Sequence, residues 1–261
     1  MDLNGKVAIV TGSSRGLGKA ISKTLARVGV KVVLAARTEL PHPRIDGTIM
    51  KTAEEIIAEG GIALPVKCNV TSDDDISLLV ENTLKQFDRI DILVHCAAAN
   101  FPGGIEATQL AKWDILMGLN FRGLAALVKS ILPSMKQQGE GHIINVSPKI
   151  NHALTEGGTY SLSKQISTLL SLTMAEEFKQ YGIAVNTLWP EGSLRTEGMI
   201  AMGRINSNNQ DPQRFADAVF EIVSKDPKAY TGHTLSDIEI LREVGIEDFS
   251  KYDLPQLEEN S

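Results

Sequence analysis

With 261 residues and 43% hydrophobic content, the chain can bury a large core, and α/β chains of this length often form a single unit. A formal charge of −6, with 26 basic residues mixed among 32 acidic ones, gives no positive field to hold nucleic acid or an anionic membrane surface. Cys68 and Cys96 are too few for a disulfide framework, the chain opens Met1-Asp2-Leu3-Asn4-Gly5 rather than with a leader, and no apolar stretch approaches the roughly 20 residues of a membrane-spanning helix, so a soluble protein in a reducing, cytoplasmic setting is expected.

The first apolar run, Val7-Ala8-Ile9-Val10, is nearly continuous in Val and Ile and reads as a strand buried on both faces. Directly after it stand Thr11-Gly12-Ser13-Ser14-Arg15-Gly16-Leu17-Gly18, and a helix is predicted over about 16–29. Glycine, lacking Cβ, lets main-chain N–H groups approach a pyrophosphate, which the helix N-terminus then attracts. A strand before the turn and a helix after it are the context this mechanism requires. The second strand, Val32-Val33-Leu34, leads to Ala35-Ala36-Arg37-Thr38. An acid there accepts from the adenosine ribose 2′-hydroxyl and repels a 2′-phosphate, whereas a guanidinium holds that phosphate. Arg37 and Arg15 converge on this site, with Arg44 in the next loop as a further candidate, and together they point to NADP(H).

Helices over about 48–60 and 73–87 flank a third strand, and Ile92-Leu93-Val94 forms the fourth. His95, which follows, reads as a structural hydrogen-bonder and Cys96 as a small core residue. A helix over 106–137 precedes Ile143-Ile144-Asn145-Val146 and Ser147, whose hydroxyl can hydrogen-bond a developing alkoxide. The helix over 159–181 carries Tyr160 and Lys164 four apart, hence on one face. A free phenol, with a pKa of roughly 10, is a poor base at neutral pH, and a nearby ammonium lowers that pKa into a workable range. After Ala184-Val185-Asn186-Thr187-Leu188, the weakly structured 190–212 is the candidate lid, with Met199, Ile200, Met202 and Ile205 to cover an apolar substrate. From about 237 the chain is acidic and polar, a tail expected to be only partly ordered. The alternation of strand and helix means a doubly wound parallel sheet in one domain spanning 1–261, and no metal site is expected.

The spacing from Thr11 to Gly18, followed in order by Ser147, Tyr160 and Lys164, resembles the short-chain dehydrogenase/reductase family over nearly the whole chain. The resemblance implies a seven-stranded Rossmann-like sheet, usually in a tetramer that pairs the long helices, with cofactor and substrate at the C-terminal ends of the strands. It implies cofactor contacts from Thr11, Gly12, Ser14, Arg15, Gly16, Leu17 and Gly18, and places Ala36 where NAD users of the family carry Asp, so that Arg37 and Arg15 match its NADP(H) users. Asn69, where Asp is usual, is expected to accept from the adenine amine through its amide oxygen, with Val70, Ala97 and Pro190 also at the cofactor and Thr196 gripping the nicotinamide carboxamide. Asn120 matches the fourth catalytic residue, which holds a water joining Lys164 to solvent. Hydride then passes between nicotinamide C4 and the substrate carbon while Tyr160 moves the proton and Lys164 also binds the nicotinamide ribose.

The sequence departs from the family at His95-Cys96-Ala97-Ala98, where Asn-Asn-Ala-Gly is common, and at Pro190-Glu191-Gly192, where Pro-Gly is usual. The insertion over 38–49, the run Ser147-Pro148 leading to Ile150-Asn151, and the stretch from Tyr230-Thr231-Gly232 to Ile246 look like the branch holding hydroxysteroid dehydrogenase-like protein 2 and bacterial citronellol and citronellal dehydrogenases. Animal members append a sterol-carrier domain, which is not expected here. Lys149 reads as a solvent-facing loop residue. An NADP(H)-dependent oxidoreductase interconverting an alcohol and an aldehyde or ketone, with an apolar substrate, is therefore expected. Its competitors are a cofactor-binding regulator without turnover, which typically loses the tyrosine or lysine, and carbon–carbon double-bond reduction, which needs no tyrosine at the carbonyl.

Overall fold

The computed structural model describes residues 1–43, 45–101, 103–150, 158–206 and 208–255; Arg44, Asn151 and the end of the expected tail lie outside the described residues. Seven parallel strands, β1 (Val7–Thr11), β2 (Lys31–Ala36), β3 (Ile62–Lys67), β4 (Ile92–His95), β5 (Gly141–Val146), β6 (Ile183–Trp189) and β7 (Thr234–Ser236), form one sheet in the order β3-β2-β1-β4-β5-β6-β7. Successive strand residues point to opposite faces, so Ala8, Val10, Leu34 and Val94 join one core while Val7, Ile9, Val33 and Leu93 join the other. The expected doubly wound sheet is thus present, and its nearly unbroken Val/Ile runs follow from both faces being covered. Two strands carry weaker patterns. β3 contains Pro65, tolerated because this strand lies at the sheet's edge, and β7 is three half-buried residues at the other edge.

The helices, in chain order, are α1 (Gly16–Arg27), α2 (Ile49–Ala58), α3 (Asp73–Phe87), α4 (Leu110–Met117), α5 (Gly123–Gln138), α6 (Gly158–Phe178), α7 (Glu197–Ala201), α8 (Gln213–Val223) and α9 (Asp237–Glu243). Side chains of α1, α2, α8 and α9 fill the first core, and those of α3, α5 and α6 fill the second. The single helix expected over 106–137 is divided between α4 and α5 by a π-helical turn, Gly118–Arg122, in which the Gly123 N–H bonds the Gly118 carbonyl five residues back. Gly123 also lets α5 approach the loop after β3, since a Cβ there would lie 2.8 Å from the Val70 carbonyl oxygen. Taken through this turn, Leu110–Gln138 is 29 residues with a mean hydropathy of 1.5 over its most apolar window, long and apolar enough to cross a membrane by length and composition. That corrects the expectation that no run comes near a span. The apolar side chains concerned, Leu124, Leu127, Val128, Ile131 and Met135, pack into the core beneath the sheet.

The lid and the tail are more ordered than their polar composition suggests. Within 190–212, α7 forms and Leu194 bridges Gln210, which in turn bridges Asp253. The tail begins with α9, closed by a reciprocal cap between Ser236 and Glu239, and it runs on to Tyr252, which is buried with its hydroxyl donating to Asp217 at 2.6 Å. An ion pair between Arg214 and Asp237, 2.9 Å apart and 2% and 0% exposed, joins α8 to α9. Asp237 also accepts the backbone N–H of Glu191, and Arg214 donates to the Glu191 carbonyl, so this buried pair fixes the start of the lid. Removing one partner of such a pair leaves an uncompensated buried charge. Asp237→Ala should therefore cost about 3–5 kcal/mol of stability. Urea unfolding measures it, and a loss below about 1 kcal/mol would mean the pair is not buried as described.

Candidate active site

β1 ends at Thr11, and the next residues turn the chain into α1. Gly12 and Gly16 take left-handed φ of 69° and 55°. A Cβ on Gly18 would sit 2.4 Å from the Gly12 carbonyl oxygen, and one on Gly12 would sit 3.0 Å from the Ala97 nitrogen, so the turn is built as backbone packed on backbone. Arg15 is the N-cap of α1 yet provides no side-chain cap, and the first turn holds no acid; the guanidinium donates instead to the Gly47 carbonyl at 2.9 Å. N–H groups at a helix start of this kind form an anion seat. One of them, on Gly16, donates to Glu197 Oε2 at 2.7 Å. Glu197 reaches it from the lid, and sequence reasoning missed this residue because nothing local marks where a lid returns. Thr196, beside it, lies against Gly16 and caps α7 by accepting from the Met199 N–H.

A groove of about 260 Å³ opens at the C-terminal ends of the strands, lined by Gly12, Ser14, Arg15, Arg37, Asn69, Val70 and Ala97, all expected from the sequence, and by Cys68 and Leu119, which were not. Leu17 packs against the first core and Pro190 is half-buried after β6. Arg37 is exposed and, among the described residues, has no carboxylate partner. The Asn69 amide oxygen accepts from the Thr71 N–H and hydroxyl in this structure. Small floor residues and two guanidinium groups at the rim fit an adenine dinucleotide.

The four residues expected to do chemistry come from the position just after β5, from α6 and from the π-turn. Lys164 is 2% exposed, and burial brings its ammonium down to about 8; it donates to the Val146 carbonyl at 2.7 Å. Tyr160 sits one helical turn earlier. The expected lowering of its phenol by Lys164 is not found in this structure, because burial pushes it up to about 12 while the ammonium is bound to a carbonyl. Ser147 is fully buried, donating to the Lys164 carbonyl at 2.7 Å and lying 2.7 Å from the Thr168 hydroxyl, so its single proton is already committed. Asn120 donates through Nδ2 to Ser163 Oγ at 2.9 Å, and Ser163 donates to the Tyr160 carbonyl. The Asn120 Oδ1 is buried with no partner among the described residues, an acceptor left open next to α6.

The profile of the family described as short chain dehydrogenase matches residues 6–203, which contain the glycine turn and all four of these residues. The chain belongs to that family. Hydroxysteroid dehydrogenase-like protein 2 of Homo sapiens is 40% identical over 255 residues, covering 96% of this chain and 60% of the relative, so the chain spans about 60% of that curated relative's length. A short chain dehydrogenase from Mycobacterium thermoresistibile superposes with a TM-score of 0.91 at 37% identity, covering 96% of this chain and 91% of the other. A metagenomic short-chain oxidoreductase, solved in complex with NADP, gives a TM-score of 0.75 at 29% identity over 90% of this chain and 98% of that one.

His95 is fully buried, and burial together with the Lys164 charge brings its imidazole down to about 3. Burial raises Cys96 to about 11 and Cys68 to about 12, so neither thiol is ionised near neutrality, in keeping with the reading of Cys96 as a packing residue. His142 is likewise buried and brought down to about 4. Both imidazoles are neutral in the folded chain but take up a proton when unfolded below about pH 6.5, so their stabilisation is complete above that pH and is lost as pH falls towards 4 and 3. Urea midpoints should therefore drop steadily between pH 6.5 and 4.5, before the carboxylates protonate. Constant midpoints across that interval would contradict neutral burial of these two rings.

Proposed function

We propose that this chain is an NADP(H)-dependent oxidoreductase that interconverts an alcohol with an aldehyde or ketone of an apolar substrate. Support comes from the convergence of Tyr160, Lys164 and Asn120 beside a groove whose rim carries Arg15 and Arg37. Cys96, at the end of β4, faces Tyr160 and Lys164 electrostatically, while its neighbour Ala97 lines the groove, so one loop borders both sites. NADP(H), when bound, supplies or accepts a hydride at nicotinamide C4. In reduction Tyr160 gives its hydroxyl proton to the oxygen that becomes an alcohol, and in oxidation it takes that proton back. Lys164, released from the Val146 carbonyl, holds its charge against the phenolate and lowers the cost of forming it. Ser147 steadies the substrate oxygen once its hydroxyl turns from the Lys164 carbonyl. Asn120 Oδ1 is the acceptor available to a water relaying the proton to solvent.

The apolar substrate class rests on the lid, where Ile200 and Met202 are 51% and 54% exposed beside Met199 and Ile205. We also assign a homotetramer in the reducing cytoplasm, with exposed Leu110, Ile115 and Leu169 on α4 and α6 among the residues that assembly covers. Tyr160→Phe should lower turnover by roughly 10²–10⁴-fold with NADPH affinity unchanged, followed by NADPH absorbance against a panel of aldehydes and ketones. Turnover within a few-fold of the wild type would overturn the assignment.

Cofactor choice falls to Arg37, which lines the groove without a carboxylate partner among the described residues and can meet a 2′-phosphate with a charge-assisted pair. Such a bond is worth roughly 1.5–3 kcal/mol, so Arg37→Ala should weaken NADPH by about ten- to a hundredfold and leave NADH unchanged. In the same titrations Glu197→Gln should tighten both cofactors, because a pyrophosphate and the Glu197 carboxylate compete for the Gly16 N–H. Equal wild-type affinities for NADPH and NADH would place the phosphate elsewhere.

A further inference from the structure

His95 stands where three parts of the site meet. Its Nε2 is 3.2 Å from the Leu119 carbonyl and its Nδ1 is 3.3 Å from the Thr11 hydroxyl. A carbonyl only accepts, so Nε2 carries the proton, and in a neutral ring Nδ1 must then accept from the Thr11 hydroxyl. That hydroxyl also accepts the N–H groups of Cys96 and Ala97, at 3.1 and 3.0 Å, so all of its hydrogen-bonding capacity is used. The chain of bonds runs in one direction, from two backbone N–H groups at the groove through Thr11 and His95 to Leu119. Leu119 needs that donor for a reason found in the helix. In the π-turn the Gly123 N–H goes to the Gly118 carbonyl, so the Leu119 carbonyl loses its usual partner four residues on. The next residue is Asn120.

We propose that His95 is a positioning residue for proton transfer, its neutral imidazole fixing the π-turn that carries Asn120 against the Thr11 turn beneath the cofactor groove. This inference rests on the oxidoreductase reading above. His95 touches neither of the reacting partners; it acts through the Leu119 carbonyl, which sets where the Asn120 side chain meets Ser163 and, through α6, Tyr160. Among the described residues the charged group that bears on the ring is Lys164, one turn beyond Tyr160. An aromatic ring without nitrogen keeps the volume and loses both bonds, whereas an amide keeps one donor and one acceptor.

The experiment compares wild type, His95→Phe and His95→Gln for pH dependence of kcat with NADPH and a carbonyl substrate, NADPH affinity and melting temperature. His95→Phe should lower kcat at least about tenfold and move the basic limb of the pH profile by half a unit or more, with NADPH affinity within about threefold. His95→Gln should restore the limb and most of the rate. A His95→Phe variant that melts earlier but keeps the native limb, or a folded His95→Gln variant that restores neither, would overturn the inference while wild-type turnover left the oxidoreductase reading standing. No wild-type turnover across the carbonyl panel would overturn both. A readout independent of either variant's folding is ¹⁵N-histidine NMR of the wild type, in which His95 should be a neutral Nε2–H ring that does not titrate above pH 5. The other tautomer, or a titration near 6.5, would also overturn it.

Discussion

A row of buried polar side chains across the middle of the sheet governs where everything else in the site goes. Thr11, His95 and Asn145 pair in register across β1, β4 and β5, and each is 0% exposed. Buried polar groups without partners cost on the order of 1–3 kcal/mol each, so the layer packed over this row must supply hydrogen bonds as well as apolar surface. α6 supplies Ser167 and Ser171 to the Asn145 amide, which fixes the rotation and height of the helix that carries Tyr160 and Lys164. The π-turn supplies the Leu119 carbonyl to His95, which fixes the element that carries Asn120. Strand register thereby places helical residues that are far apart in sequence.

The sheet, its parallel order and most helices were legible because their signals are local: Val/Ile runs bounded by turns, and apolar residues at three and four spacing between them. The glycine turn was legible for the same reason, since a backbone-on-backbone approach admits one residue type at Gly18. The π-turn was not. It changes no periodicity that a sequence displays, and its cause lies in contacts of Gly123 with Val70 and of Leu119 with His95 across the fold. Nor was the state of Tyr160. Four-residue spacing places a lysine on the same face, but whether the ammonium lies against the phenol or against the Val146 carbonyl depends on a strand end 18 residues away in sequence. The tail misled by composition, because its acids are used in caps and pairs, such as Glu239 on Ser236 and Asp237 on Arg214.

The lid is held very differently at its two ends, and the contrast decides where it gives way. At its base, Glu191 is gripped through both its N–H and its carbonyl by Asp237 and Arg214, with neither charge exposed. Breaking that grip uncovers buried charge and costs several kcal/mol. At its tip, Glu197 makes a single bond to the Gly16 N–H, the kind of helix-terminus contact worth at most about 2 kcal/mol. The weaker hold is therefore at the tip and the stronger one at the base. Were a pyrophosphate to bind at these N–H groups, as the proposed function implies, it would compete with the Glu197 carboxylate for the Gly16 N–H at small cost, while Asp237 and Arg214 would still hold Glu191.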